Sequence, residues 1–375
     1  MRRTPLPKIS IFIIILASLM TTTVFGQTKP SGEVDVTKFW TYSLGEETGV
    51  ALASDGNRVF LGLGNSRVEE LSIDGKKMWS TELGGDISSN ILALAGGLFI
   101  VTSVSSDVGR SAGGVLRSLS KETGITNWTL KLPDAEKHFL GGFNGSLVIV
   151  SKSGVIQSID TQNGKVKWRR EITEGFAAEP AFEGGKVIVA TIAKQIFVVS
   201  LASGEIDSMR KVPYGITAIG KIPSADIVAG DDRGNLSSLV SGSEKPYWSF
   251  KSGGEISSVF TVGEHLVVTS HDNFVYFLLG RNGGLVWKKR LTGRVAQIST
   301  YADHFALITS IDDHGSILVD LSNGKVAGQI ALSEDENLVE PPVVSNGLIF
   351  VLTNKAAYGF CLNGCPVMKN GGPGK

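Results

Sequence analysis

The sequence predicts an all-β chain folded as an eight-bladed propeller, and three observations carry that expectation. The first is positional. All six tryptophans, Trp40, Trp79, Trp128, Trp168, Trp248 and Trp287, share one phase of a repeat of about forty residues, with spacings of 39, 49, 40, 80 and 39. One step is long and one is a double. The missing beat of the double falls at Ser208, where Gly204-Glu205-Ile206-Asp207-Ser208 repeats the spelling of Gly164-Lys165-Val166-Lys167-Trp168. One more beat follows at Gly328, after Gly324-Lys325-Val326-Ala327. A period of about 40–45 residues holding several short strands is that of a propeller blade.

The second observation is composition. Glycine is abundant at 46 of 375 residues, 42% of the chain is hydrophobic, and apolar spacing of helical period is scarce. The third is a recurrent hairpin spelling, clearest from Leu147 to Trp168. Leu147–Val150 is an apolar run, Lys152-Ser153-Gly154 a turn, and Val155–Ile159 a second strand. Asp160 to Gly164 turns again, and Lys165 enters the strand carrying the tryptophan. These are hairpin signals at the spacing an antiparallel sheet needs. A weaker strand rich in small residues precedes each unit, as at Phe139–Phe143 and Ala178–Phe182, which suits a crowded position at a central channel.

Taken in order, the chain opens with a targeting segment. Arg2, Arg3 and Lys8 precede an apolar stretch from Ile9 to Met20, and Val24-Phe25-Gly26 is a small-residue cleavage pattern before Gln27. Residues 1–26 are therefore expected to be a signal peptide and the mature protein to be exported, to the periplasm or beyond it. An uncleaved anchor is the competing reading, and the stretch is short against the roughly 20 residues of a span. No cysteine lies near the cleavage site to accept a lipid. Without residues 1–26 the chain carries 33 basic and 36 acidic residues. That balance offers no electrostatic footprint for nucleic acid.

Residues 27–368 then read as a single propeller domain, because repeat arrays grow by neighbour-to-neighbour contact. The same spelling recurs at Val68–Ile73, Val115–Leu119, Phe197–Leu201, Leu236–Leu239, Val275–Leu278, Ile317–Leu321 and Ala357–Phe360. A glycine after most of these strands supplies the positive φ of a tight turn. Seven complete units lie between Trp40 and Gly328, and an eighth begins near Val339 without a tryptophan strand of its own. The piece Lys38-Phe39-Trp40-Thr41-Tyr42 is a tryptophan strand without a unit. It is expected to complete the last blade and remove the open sheet edge. Residues 369–375 read as a flexible glycine-rich tail.

The spelling apolar-x-x-Leu-Asp-x-x-x-Gly-Lys-Val-x-Trp, close to Ser158-Ile159-Asp160 through Trp168, resembles the pyrroloquinoline-quinone-type propeller repeat. The resemblance covers essentially the whole mature chain. WD-type and kelch-type repeats are disfavoured, since neither a Gly-His…Trp-Asp pairing nor regular paired glycines occur. Eight blades in about 350 residues after a signal segment looks most like the outer-membrane β-barrel assembly propellers. That resemblance implies a protein-binding role beside other envelope proteins. The chain departs from the family in having no lipid-acceptor cysteine. Resemblance to the larger quinone enzymes implies a catalytic aspartate, a calcium and adjacent cysteines, and nothing here matches that set.

Candidate sites are weighed against plainer readings. The tryptophans read as seam fillers whose N–H finds a turn carbonyl, rather than as cofactor-stacking groups. The acidic turns Asp231-Asp232-Arg233-Gly234-Asn235 and Asp312-Asp313-His314-Gly315 are too short for a calcium loop and suit hairpin tips. His138, His265, His271, His304 and His314 show no paired metal spacing. No metal or cofactor is expected. The basic groups Lys167, Arg169, Arg170 and Lys288, Lys289, Arg290 read as edge protection first and an anionic contact second. Cys361 and Cys365 flank a turn-like Leu362-Asn363-Gly364, and a disulfide there is left open by demanding geometry. The excess in the 49-residue step sits at Ser105–Gly114, where Asp107 and Arg110 are candidate partner contacts, against neutral length variation. Two functions remain: a non-enzymatic protein-binding scaffold, monomeric within a larger complex, or an exported quinone-dependent or other enzyme using the central channel. The lack of a recognisable reaction centre favours the scaffold.

Overall fold

A computed structural model describes residues 33–365 apart from 105–112, 223–224, 241–242, 244, 303 and 312. The expected leader (1–26), the tail (369–375), Asp107 and Arg110 lie outside the described residues. All regular structure described is β, in eight antiparallel sheets. Blades one to seven occupy 49–82, 86–132, 138–171, 181–211, 216–251, 256–290 and 295–331. Within each, the strands run from an inner to an outer position in chain order. Blade eight combines Val343–Ser345, Leu348–Leu352 and Ala356–Leu362 with Val36–Ser43 as its outer strand. The N-terminal strand thus closes the ring, as the phase of Trp40 predicts. No helix among the described residues is long and apolar enough to cross a membrane.

The core explains why the second and third strands are apolar in runs rather than in alternation. The buried side chains fall into eight clusters, and each straddles one seam between neighbouring blades. Between blades three and four, for example, Val148, Val150 and Ile156 pack with Val187, Val189 and Val199. A strand in mid-blade therefore buries both its faces, and Ser146–Ser151 is buried at every position. The outer strands are covered on one side only. Val166–Glu171 accordingly alternates between exposed and half-buried positions. Each seam gathers several aliphatic side chains, at about 1.5–3 kcal/mol apiece when fully buried. No blade owns a core by itself.

The inner strands approach one another closely, and small residues permit it. A Cβ on Gly141 would stand 2.6 Å from the Phe182 ring of the next blade, and one on Gly142 would stand 2.7 Å from Leu94 of the previous blade. Three inner strands are less regular than the spelling implies. That of blade two is broken into Asp86–Ile87 and Leu92–Leu94, so this sheet has five strands rather than four. At the break, the Val101 N–H donates to Ser89 Oγ at 2.9 Å. The Asn90 amide meanwhile bonds both Leu140 N–H and C=O in blade three. In blade four, the continuous ladder starts at Ala181 rather than Ala178, beyond a single bridge from Phe176 to Thr191, because Pro180 has no N–H to offer it. Pro341 and Pro342 likewise delay pairing in blade eight to Val343, beyond the single bridge at Leu338.

Candidate functional site

Every tryptophan performs one repeated task. The ring of Trp168 on the outer strand of blade three lies over Gly204 in the turn of blade four, and its Nε1–H donates to Leu201 O at 3.2 Å. The same donation runs from Trp40 to Ile73, Trp79 to Lys121, Trp128 to Thr161, Trp248 to Gly280 and Trp287 to Leu321. Gly75, Gly124, Gly164, Gly204, Gly283 and Gly324 receive the rings, and any side chain there would collide with the indole. These glycines also hold φ between 68° and 83°, so the turn and the berth impose the same residue. A register shift one step before each of these tryptophans except Trp248 aims the ring, as bulges do.

Two seams lack a docking tryptophan. At Ser208, between blades four and five, Arg210 two residues further on donates from Nη2 to Val240 O at 3.2 Å. At Gly328, between blades seven and eight, residues 33–36 lie across the bare backbone. Val34 N–H donates to Ala327 O at 2.7 Å, and Val34 joins the cluster containing Leu318, Ile330 and Phe360. A Cβ on Gly328 would stand 2.9 Å from Val34 O.

Blade eight is also where Cys361 and Cys365 lie, joined as a disulfide with Cα atoms 5.2 Å apart. Between them Asn363 adopts φ 56° and Gly364 φ 97°. Asn363 N–H donates to Asp35 O at 2.8 Å, and Asp35 N–H donates to Asn363 Oδ1 at 3.3 Å. The outer strand is further stitched to blade one, since Tyr42 O–H donates to Glu69 Oε2 at 2.7 Å.

Buried carboxylates at this end of the ring are tied by hydrogen bonds. Glu336 accepts from Tyr358 O–H at 2.5 Å and Thr353 O–H at 3.1 Å. Burial raises its carboxyl, but the bonds from Tyr358, Ser333 and Thr353 outweigh burial and hold it below the ordinary range. Burial instead dominates at Glu70, which is raised despite Arg58. Its neighbour Glu69 accepts from Lys77 and Ser80 as well as Tyr42. The sequence reading passed over Glu69 and Glu70. The signal was two adjacent carboxylates inside the strand Arg67–Ser72, where the repeat calls for apolar residues.

The other candidates resolve into structural uses. Asp231 spends its carboxylate on Arg233 N–H, Asn235 N–H and the Asn235 amide, all within its own turn. Lys167 bonds Ser146 Oγ and pairs with Asp160, Arg169 pairs with Glu171, and Arg170 donates to Gly204 O. Lys288 stands over the Phe274 ring, while Lys289 and Arg290 line a groove toward blade seven. Among the described residues no three His, Cys, Asp or Glu side chains converge to hold a metal. His138 is buried in blade three with Nδ1 unpartnered, and burial pushes its pKa down. The channel side of blades four to six holds a cavity of about 680 Å³ reached by Phe182, Lys221 and Phe260. Its hydroxyls are engaged already: Thr217 donates to Ile256 O, and Ser257 bonds Thr269.

Eight blades, with six of their seams locked by a tryptophan docked on the next turn, define a propeller of pyrroloquinoline-quinone-type repeats. The family model described as outer membrane protein assembly factor BamB matches residues 32–141, 112–207 and 215–370, and the chain belongs to that family. A relative from Burkholderia pseudomallei, an outer membrane protein assembly factor BamB, is 22% identical over 296 residues, 74% of each chain. The crystal structure of BamB from Moraxella catarrhalis superposes with a TM-score of 0.67 at 14% identity, covering 89% of this chain and 100% of that one. The designed protein Ika8 gives 0.68 at 12% identity, covering 84% and 96%. The C-terminal WD40 domain of Sif2 gives 0.67 at 13%, covering 89% and 100%. These structural likenesses concern the fold.

Proposed function

We propose that this chain is an exported, non-enzymatic propeller that binds other envelope proteins during the assembly of outer-membrane proteins. The family match carries this reading, because it runs through every blade rather than resting on one motif. The channel chemistry supports it too, since the hydroxyls at the cavity wall serve the backbone and neighbouring side chains. On this reading residues 1–26 are removed on export and the protein works as one subunit of a larger complex in the periplasm. Crosslinking in the native envelope should recover barrel-assembly components. Purified protein that takes up a quinone and reduces a dye would overturn the proposal in favour of an enzyme.

The insertion in blade two is the proposed contact, with Arg110 its main anchor and Asp107 a second polar group. The strands Gly97–Val104 and Gly113–Leu119 carry it between them. Exposed Val104, Ile192 and Ile311 lie at or beside the equivalent connections of their own blades. Arginine is over-represented among residues that dominate interfaces. Replacing residues 105–112 by Asn-Gly, which leaves the paired Gly113 and Gly114 in place, should shift the melting temperature by no more than about 2 °C, since loop length has a small entropic effect. It should weaken capture of the crosslinked partner; full retention would reduce the loop to length variation.

A further inference from the structure

Seven blades join their third and outer strands by a covalent turn; blade eight has none. In blade three the last rung runs from Asp160 N–H to Lys165 O, and the chain then turns through Gly164. In blade eight the ladder continues past the matching position to Asn363 and Asp35, residues 328 apart in sequence. What braces Asn363 there is the disulfide, which brings Cys365 back to Cys361 around the bend. Cys361 Sγ itself lies 3.6 Å from Thr37 O on the outer strand.

Asp35 is a pivotal residue to grip. On one side of it Val34 covers Gly328 in the berth where other seams have a tryptophan. On the other side Val36 begins the outer strand, paired with Leu362. A single braced bend thus holds both the strap over blade seven and the start of the closing strand. We propose that the Cys361–Cys365 disulfide is a redox-operated latch on ring closure. Oxidised, it stands in for the missing turn; reduced, it lets residues 33–38 leave their seat while the rest of the ring stays folded.

The chemistry is thiol–disulfide exchange with a dithiol reductant. Cys361 is 1% exposed and Cys365 is half-buried, so the attacking thiolate reaches Cys365 Sγ. The S–S bond breaks, Cys361 leaves as thiolate and takes up a proton, and a mixed disulfide forms at Cys365. The second thiol of the reductant displaces Cys365, which also takes up a proton. Two electrons pass to the protein disulfide, and the reductant departs as a cyclic disulfide.

Hydrogen exchange followed by mass spectrometry on the intact protein, with and without dithiothreitol, tests this. Reduction should speed exchange across residues 33–40 by about tenfold or more, as local opening without global unfolding does. Peptides from 146–171 should not change. Cys365→Ser should show the fast pattern with or without dithiothreitol. Equal rates at 33–40 in all four samples would overturn the latch. So would acceleration spread evenly over all blades, which marks a general stabiliser, and so would an oxidised protein whose intact mass shows two free thiols.

Discussion

The seam between blades three and four and the seam between seven and eight solve one problem by different means. At the first, a single large side chain does the joining: Trp168 covers Gly204 and bonds Leu201, and both strands beneath are continuous chain. At the second, Gly328 offers nothing, and residues 33–36 arrive from the far end of the sequence to cover it. The tryptophan needs no other segment to be in place. The strap works only while Asp35 and the closing strand behind it remain seated. Six seams are therefore sealed by a tryptophan and one is bridged by Arg210, whereas the seam between blades seven and eight is sealed by an association between chain segments.

The harshest way to break that comparison is to remove the association. Deleting Val36–Ser43 takes away Trp40, the ladder to Ala356–Leu362 and the Tyr42 bond to Glu69. The melting temperature should fall by at least about 10 °C, several kcal/mol at the few degrees each is worth in a chain this long. A circular dichroism melt that does not move would mean the strand closes nothing. A smaller loss is expected from Trp168→Ala, about 3–5 kcal/mol as for other large-to-small core changes. Urea unfolding should locate it in the midpoint. The loss should be close to additive with Cys365→Ser, because the two seams share no contacts.

The mildest change separates two carboxylates by pH. Glu336 is held below the ordinary value of 4.5, so its contribution is full above that value and is lost as pH falls through the lower folded-state pKa. Glu70 is raised, so the sign reverses: its contribution is full below the ordinary value and declines as pH rises through the folded-state pKa. Glu336→Gln should cost about 1–3 kcal/mol at pH 7, the usual penalty for disturbing a buried hydrogen-bonded group. That cost should shrink in acid. A penalty that stays constant down to pH 3 would show that packing, and not ionisation, gives Glu336 its value.

Much of this was legible because the repeat writes its seams in tryptophan and glycine. Both residue types are demanded by one contact, so Trp168 predicts a glycine near position 204 and the blade between them. Trp40 announced closure by the same rule. The strap stayed hidden because Val34 is an ordinary aliphatic residue with no periodic mark, and its partner is a glycine that also suits many other places. The broken inner strand of blade two was hidden as well. Ser89 and Asn90 replace ladder bonds with side-chain bonds, and that exchange depends on Val101 and Leu140 arriving from other strands. Pro180, by contrast, told against an early start to blade four, and its missing N–H was visible in the sequence throughout.

Core shared between neighbours has a consequence for the order in which this protein is made. A growing chain acquires blades one after another, yet each new blade waits for the next to cover its exposed face. The strand Val36–Ser43 is among the first segments of the propeller to appear, and its partner Ala356–Leu362 is the last described strand. Bringing such distant segments together carries an entropic cost that grows only logarithmically with their separation, but it cannot be met before both exist. Until then the first strand is an unpaired ribbon, and nascent protein displays it for the whole length of synthesis.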